Sequence, residues 1–290
     1  MLDFIVNPTA GGKNGKKMMG VLHKLTKRLD ERIVDYQIHI TKELKSSREK
    51  TAELIKDGAT DIIAVGGDGT LHEVINGFSD FERVNLGIIP CGTGNDFAGA
   101  LNLPKNPVEA LDLILDGTPK YTDFLQTPKV RGLNIVSTGI DVDVMKRYNA
   151  LKKKTKFGYT KCLMKTLANF EYTDFTVEIN GEKTDYRSFI AGVCNGHRFG
   201  GGIPICPIAD ATDNKLNFIA VKEIKKSQIP FRFLKLKAGK IFSFKETEHT
   251  EVEEIKITSS SPIVVNIDGE LYENIPFEVK IVSNTLKVYR

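Results

Sequence analysis

Ile62-Ile63-Ala64-Val65-Gly66-Gly67-Asp68-Gly69-Thr70-Leu71-His72-Glu73-Val74-Ile75-Asn76-Gly77-Phe78 joins an apolar run, a glycine-rich loop and a helical segment with nothing between them. The apolar run does not alternate with polar residues, which is how a strand buried on both faces reads. Residues 71–78 read as the helix that follows. Strand, glycine loop and helix in direct succession form the repeating unit of a parallel sheet covered by helices.

The unit recurs on both sides of this stretch. Residues 2–7 are a short apolar run ended by Pro8 and Gly11-Gly12, and Met18, Leu22, Leu25 and Leu29 follow at helical spacing. Val34, Tyr36, Ile38 and Ile40 alternate as a strand does, with Thr41 at its end. A helix over 46–56 is closed by Gly58. Residues 86–89 are a second buried strand, broken by Pro90. A helix is expected from about Asp96, and another over 107–115 is stopped by Gly117. The expectation is a doubly wound α/β domain over residues 1–122.

Beyond Lys120 the pattern changes. Strand-like runs stand at 133–137, 176–179, 189–193, 216–221, 255–258, 263–267, 277–281 and 286–289, with turn signals at Asn180-Gly181 and Asp268-Gly269. They predict a β-sandwich domain over 123–282, with the basic stretch 144–170 as a helical insertion.

The chain has 290 residues, a length that favours two domains, and 41% hydrophobic with 27% charged residues is ordinary globular composition. No uncharged apolar run approaches the roughly 18–20 residues needed to span a bilayer. The opening Met1-Leu2-Asp3-Phe4-Ile5-Val6-Asn7 lacks the basic and apolar regions of a signal peptide. Cys91, Cys162, Cys194 and Cys206 are far apart and without zinc spacing, so they read as reduced thiols of a cytoplasmic protein. The net charge of +4 is mild but uneven. Lys146, Arg147, Lys152, Lys153, Lys154, Lys156, Lys161 and Lys165 fall in a stretch with no acid. Lys222, Lys225, Lys226, Arg232, Lys235, Lys237 and Lys240 share theirs with Glu223 alone. Either stretch reads as a solvated face or as an attraction for an anionic surface. No nucleic-acid motif accompanies the charge.

Three glycine-bearing loops fall at the carboxyl ends of expected strands, where open parallel sheets bind ligands. They are Asn7-Pro8-Thr9-Ala10-Gly11-Gly12-Lys13, Gly66-Gly67-Asp68-Gly69-Thr70 and Cys91-Gly92-Thr93-Gly94-Asn95-Asp96. Glycines let backbone N–H groups approach phosphate oxygens, and helix N-termini add partial positive charge. Thr70, Thr93 and Asn95 add donors. Asp68 and Asp96 would repel an anion unless a cation intervenes, which implies Mg²⁺. There is no Gly-x-x-x-x-Gly-Lys-[Ser/Thr] and no Gly-x-Gly-x-x-Gly after the first strand, so the site is neither a Walker loop nor a standard dinucleotide site.

Gly66-Gly67-Asp68-Gly69-Thr70-Leu71-His72-Glu73-Val74-Ile75-Asn76-Gly77 followed by Ile89-Pro90-Cys91-Gly92-Thr93-Gly94-Asn95-Asp96-Phe97-Ala98 resembles the catalytic domain of diacylglycerol kinases, with the soluble bacterial lipid kinases the nearest match. The likeness extends to Phe199-Gly200-Gly201-Gly202 and to Asn266-Ile267-Asp268-Gly269-Glu270. It implies an ATP- and Mg²⁺-dependent kinase acting on a lipid hydroxyl, diacylglycerol first among the candidates, at an active site in a cleft between the domains. It also implies that residues 283–290 return to the first domain. By this resemblance Asn7, Pro8, Thr9, Ala10, Gly11, Thr41, Gly66, Gly67, Asp68, Gly69, Thr70, Leu71, His72, Thr93 and Asn95 bind ATP. Asp68, Asp96 and Asp123 organise Mg²⁺, and Asp68 counts among the catalytic residues. Asp268 or Glu270 supplies the base. Asp213, with carbonyls of Asp210 and Lys215, matches a second, structural Mg²⁺ site. His72 stands where Asn is commoner, and Asn214 replaces a usual Gly.

A lipid substrate requires membrane access, so the basic stretches are expected to give peripheral, salt-sensitive contact with an anionic membrane surface. The resemblance also makes a homodimer plausible. Two other readings stay open: a kinase for a soluble substrate such as NAD, whose kinases share the Gly-Gly-Asp-Gly-Thr loop, and a non-catalytic nucleotide or lipid sensor. Asp268-Gly269 reads equally as a plain hairpin turn, and His197 and Arg198 as phosphate contacts or a solvated loop.

Overall fold

The computed structural model describes residues 1–10, 16–41, 46–151, 155–168 and 170–290. Gly11 and Lys152, Lys153 and Lys154 lie outside the described residues. The chain divides into two compact units, Met1–Asp123 with Ser283–Arg290, and Phe124–Val282.

The first unit runs β1 (Leu2–Val6), α1 (Lys16–Glu31), β2 (Tyr36–Ile40), α2 (Ser46–Lys56), β3 (Asp61–Gly66), α3 (Asp68–Gly77), β4 (Asn85–Pro90), α4 (Asp96–Ala100) and α5 (Pro107–Asp116). β5 (Pro119–Gln126) then leads out of it. The sheet order is β2-β1-β3-β4, with every pair parallel. Phe4, Val6, Ile63, Val65 and Ile89 pack with the α1 stripe Met18, Leu22, Leu25 and Leu29 and with Ala110, Leu111 and Ile114 of α5. The residues between them, Ile5, Ile62, Ala64 and Ile88, are also buried and point to the other face. Burial on both faces is why these strands read as unbroken apolar runs. An ion pair from Arg28 to Asp112, 2.7 Å, fastens α1 to α5. Asn106 caps α5 by accepting from the Val108 N–H, and Pro107 opens its first turn. Strand order reverses between β1 and β3, so the crevice beyond their carboxyl ends is the position where such sheets take ligands.

The second unit contains β6 (Arg131–Gly132), β7 (Ile135–Gly139), α6 (Ile140–Asn149), α7 (Lys156–Ala168), β8 (Thr173–Ile179), β9 (Glu182–Cys194) and β10 (Leu216–Lys222). It continues with α8 (Ile229–Lys237), β11 (Thr247–Val252), β12 (Glu254–Thr258), β13 (Val265–Ile267), β14 (Glu270–Tyr272) and the start of β15 (Phe277–Tyr289). Its strands pair antiparallel in the order β14-β13-β7-β9-β8-β12-β15, and β10 joins β9 to β11. Alternation gives the strands two apolar faces. Val136, Ala191, Val193, Phe218, Ile255, Val265 and Phe277 form the sandwich interior. Ile135, Ile190, Cys194, Ile219 and Val221 meet Val144 of α6 and Tyr159, Cys162, Leu163 and Leu167 of α7. The described parts of the basic stretch thus lie mainly in α6 and α7, whose apolar residues cover the outer face of the sheet.

Two details differ from the sequence reading. Residues 277–281 and 286–289 belong to one strand, β15, and the polar Ser283-Asn284-Thr285 step, with Asn284 at φ 53°, interrupts the hydrophobic pattern within it. α3 begins at Asp68, so Gly69 and Thr70 lie in its first turn instead of the preceding loop. The end of β15 pairs in parallel with β4 through Lys287–Asn85 and Val288–Leu86. Tyr289 donates to Asp61, 2.6 Å, and Arg290 donates to Thr122, 3.1 Å, and to the Tyr121 carbonyl. Among the described residues, no helix is long and apolar enough to cross a membrane.

Candidate active site

Four strand ends deliver the expected nucleotide residues to the carboxyl edge of the first unit's sheet. Asn7 follows β1, Thr41 follows β2, Gly66 and Gly67 end β3, and Cys91 to Asp96 follow β4. The Asn7 side chain donates from Nδ2 to Thr70 Oγ1, 3.1 Å. It also accepts from the backbone N–H and the hydroxyl of Thr9, at 3.0 and 2.8 Å. Thr41 is buried, donates to the Val6 carbonyl and shares a 3.2 Å hydrogen bond with Ser47. Thr9, Gly69 and Thr93 are exposed, while Pro8 and Ala10 are half-buried. Thr70, Leu71 and His72 are buried on α3, His72 with 4% exposure, so their side chains are largely closed to solvent.

The second and third loops are in backbone contact. A Cβ on Gly67 would lie 2.9 Å from Gly92 Cα, and a Cβ on Gly92 would lie 2.4 Å from Gly67 Cα. No side chain fits between them, which is the steric reason for glycine at both positions. Asn95, in the left-handed region at φ 56°, closes the third loop on itself: Oδ1 accepts from the Gly92 N–H at 2.9 Å, and Nδ2 donates to the Gly92 carbonyl. Asp68 locks the two loops together. Its carboxylate accepts from the backbone N–H groups of Asn95 and Asp96, each at 2.7 Å. Those amides open α4, where a helix N-terminus favours negative charge. The acidity of this loop thus has a partner within the protein, and the α3 N-terminus carries no side-chain cap.

The carboxylates of Asp68 and Asp96 converge over one point of backbone. A Cβ on Gly94 would lie 2.6 Å from Asp68 Oδ2 and 3.4 Å from Asp96 Oδ2. Among the described residues no group of three or more His, Cys, Asp or Glu side chains could enclose a metal. Two convergent carboxylates suit Mg²⁺ that keeps most of its waters or takes oxygens from substrate phosphates. Asp123 is buried in β5 at 2% exposure. Burial raises the Cys91 thiol to about 11, and Cys162, Cys194 and Cys206 are buried as well, so none of the four is an exposed thiolate.

In the second unit, Asp268 and Gly269 form the two-residue turn between β13 and β14, with φ of 53° and 94°. Two positive φ values in succession mark the hairpin turn for which Asp-Gly is the preferred pair. The Asp268 carboxylate reaches back to the start of β7. It accepts from the backbone N–H of Leu133 at 2.6 Å, and from those of Asn134 and Ile135 at 2.9 Å each. Glu270 pairs with Ile267 through the backbone and is exposed, and among the described residues no hydrogen bond or ion pair engages its carboxylate. Of the two carboxylates in the motif, one is anchored and the other faces solvent. Asp213 accepts from the Lys215 N–H at 3.0 Å, Asp210 from the Thr212 hydroxyl, and the Lys215 ammonium pairs with Glu251. Asn214, which stands in for a usual Gly, adopts φ 62°, a conformation Asn tolerates. His197 Nε2 accepts from the Arg198 Nε–H at 2.9 Å. Burial and the adjacent Arg198 charge push the imidazole below its ordinary value, so His197 is held neutral with its proton on Nδ1.

Sequence reasoning missed a buried acid. Asp141, 1% exposed at the start of α6, accepts from the Ser137 hydroxyl at 2.5 Å and from Asn266 Nδ2 at 2.8 Å. The one local signal was an Asp two residues after Gly139, set between Ile140 and Val142.

Comparison with known proteins agrees with this arrangement. Residues 2–127 match the diacylglycerol kinase catalytic domain, and residues 134–290 match the YegS C-terminal NAD kinase beta sandwich-like domain. A relative from Xanthomonas campestris pv. campestris named "Probable lipid kinase YegS-like" is 30% identical over 294 residues, covering 94% of this chain and 90% of its own. A Xanthomonas oryzae pv. oryzae protein of the same name is 28% identical over 273 residues, covering 90% and 88%. A solved Bacillus anthracis structure superposes with a TM-score of 0.82 at 25% identity, over 99% of this chain and 96% of that one. A second, titled as a diacylglycerol kinase from the same organism, gives 0.76 at 24% identity over the same shares. With matches that run through both units, the chain belongs to the YegS-like lipid kinase family, with a diacylglycerol kinase catalytic domain ahead of a β-sandwich-like domain.

Proposed function

We propose that this chain transfers the γ-phosphate of ATP to the free hydroxyl of diacylglycerol, giving phosphatidic acid. The observation that carries the reading is the Asp68 carboxylate bonded to the amides of Asn95 and Asp96, which makes two phosphate-type loops one rigid unit. Phosphoryl transfer asks a protein mainly for positioning and charge neutralisation. Gly66, Gly67, Gly69 and the first turn of α3 hold the ATP phosphates through backbone N–H groups. Mg²⁺ near Asp68 and Asp96, with Asp123 as a further acid, offsets charge on the transferring group. Glu270 accepts the proton of the lipid hydroxyl. Its exposed carboxylate supports that choice over Asp268, whose oxygens already accept three backbone N–H groups. Asp213 with the carbonyls of Asp210 and Lys215 is proposed as a second metal site.

Access to the lipid is proposed to come through peripheral contact with an anionic bilayer. On α8, Phe231 and Leu234 are 60% and 66% exposed, and the Lys235 ammonium stands 4.9 Å over the Phe231 ring. On α7, Phe157 and Met164 are exposed beside Lys161 and Lys165. Exposed apolar side chains among lysines suit an interface whose headgroups are anionic.

The test is Mg²⁺-dependent transfer of label from ATP to diacylglycerol in mixed micelles by wild type and D68A. Transfer by wild type with loss in D68A supports the reading, and equal transfer by both refutes the role of Asp68. The NAD kinase-like description of the second domain favours one other reading, a soluble dinucleotide acceptor. Label on NAD in place of lipid would select it.

A further inference from the structure

We propose that Asp141 is a positioning residue for Glu270, acting through the side-chain amide of Asn266. The proposal rests on Glu270 being the proton acceptor. Asn266 lies in β13, opposite Ser137 of β7 and three residues before Gly269. The two ends of an Asn amide are nearly equal in shape, so its partners decide which way it points. Asp141 Oδ2 accepts from Asn266 Nδ2 at 2.8 Å, which fixes the NH₂ end. The carbonyl end is thereby turned to the Gly269 N–H, which donates to it at 2.9 Å. Gly269 is the second turn residue, and Glu270 follows it directly.

The turn is thus clasped from two sides. Asp268 ties it to the backbone of residues 133–135, and Asn266 ties its Gly269 amide to α6 through Asp141. The α6 end is itself fixed. Gly139, which starts the helix at φ 109°, approaches the Phe189 carbonyl so closely that a Cβ would lie 2.5 Å from it. An acid buried to 1% exposure among Ile140, Val142 and Val144 is costly unless its hydrogen bonds have a purpose. Burial raises the Asp141 carboxyl, opposed by the bonds from Ser137, Asn266 and the first backbone amides of α6. What Asp141 must supply is an acceptor oxygen at one point, whether or not the group carries a charge.

The discriminating variants are D141N, D141A, N266A and S137A, each alone and combined with E270Q. They are measured for lipid kcat and KM, for ATP affinity and for thermal unfolding. D141N keeps an acceptor oxygen, and S137A leaves the Asn266 clasp whole, so both should turn over close to wild type. D141A and N266A release the turn, and a misplacement of the base by about 1 Å should lower kcat about 10- to 100-fold with lipid KM and ATP affinity unchanged. Combined with E270Q, D141A and N266A should add nothing further, because they act through the group already removed. A purely structural network would make S137A and N266A behave alike and would add to E270Q in full, and either result overturns the proposal. An inactive E270Q beside a fully active N266A overturns the proposal alone. A fully active E270Q overturns it together with the assignment of the base.

Discussion

Replacing Gly92 with alanine should uncouple the two phosphate loops without removing any side chain that bears charge. The new Cβ would sit 2.4 Å from Gly67 Cα, 3.2 Å from Gly67 N and 2.7 Å from Asn95 Oδ1. Carbon atoms in good contact stand about 3.5–4.0 Å apart, so the loops must separate by about 1 Å. The movement falls on bonds with little slack, the two 2.7 Å hydrogen bonds from the Asn95 and Asp96 amides to Asp68. Stretched by that amount they leave hydrogen-bonding range. Overpacking of this kind costs about 1–3 kcal/mol. A displacement of about 1 Å at the reacting groups costs on the order of 100-fold in turnover. The assay pairs thermal unfolding with kcat on lipid and ATP affinity by calorimetry. G20A is the control: its Cβ meets nothing within 4 Å. Lying inside α1, G20A should raise stability by about 0.5–1 kcal/mol and leave turnover alone. A G92A protein that binds ATP, turns over and melts like wild type would refute the claim that the loops work as one unit.

Three further outcomes follow from the same geometry. D268A removes the acceptor of three backbone N–H groups and should lower stability by about 2–4 kcal/mol in urea titration, whereas E270Q should lower turnover by about 100- to 10,000-fold and leave the unfolding curve in place. Asp141 sits above its ordinary value of 3.8, so the folded chain holds a proton that the unfolded chain releases. Wild-type stability therefore falls as pH rises from that value toward the folded one, and D141N, which lacks the titration, should gain on wild type across that window and then stay level. A constant difference from pH 4 to 7 would contradict this. Deleting residues 286–290 removes the fully buried Leu286 and Val288 and the bonds to Asp61 and Thr122, so the first unit should become sensitive to brief proteolysis while the second resists.

Much of this was legible in the sequence where one physical cause dominates. Strands covered on both faces read as apolar runs, and loops that must touch through backbone read as glycine, as at Gly67 and Gly92. The resemblance in the motifs drew attention to Asp68 and Asp96, whose carboxylates both approach Gly94. The sequence was opaque where partners are distant. Asp268 reads alike as a turn former and as a base, and only its bonds to residues 133–135 distinguish an anchor from a free carboxylate. The work of Asp141 depends on Asn266, 125 residues later. β15 looked like two strands because Ser283, Asn284 and Thr285 are polar, although one strand runs through them past a left-handed Asn284.

The most direct test of the account is a mixed-micelle assay with labelled ATP and Mg²⁺ across diacylglycerol, other glycerolipids, long-chain alcohols and NAD, with E270Q alongside. The account predicts label on lipid, with phosphatidic acid from diacylglycerol as the main product and E270Q slower by about 100-fold or more. Label on NAD alone, or ATP binding with no transfer to any lipid, would contradict it.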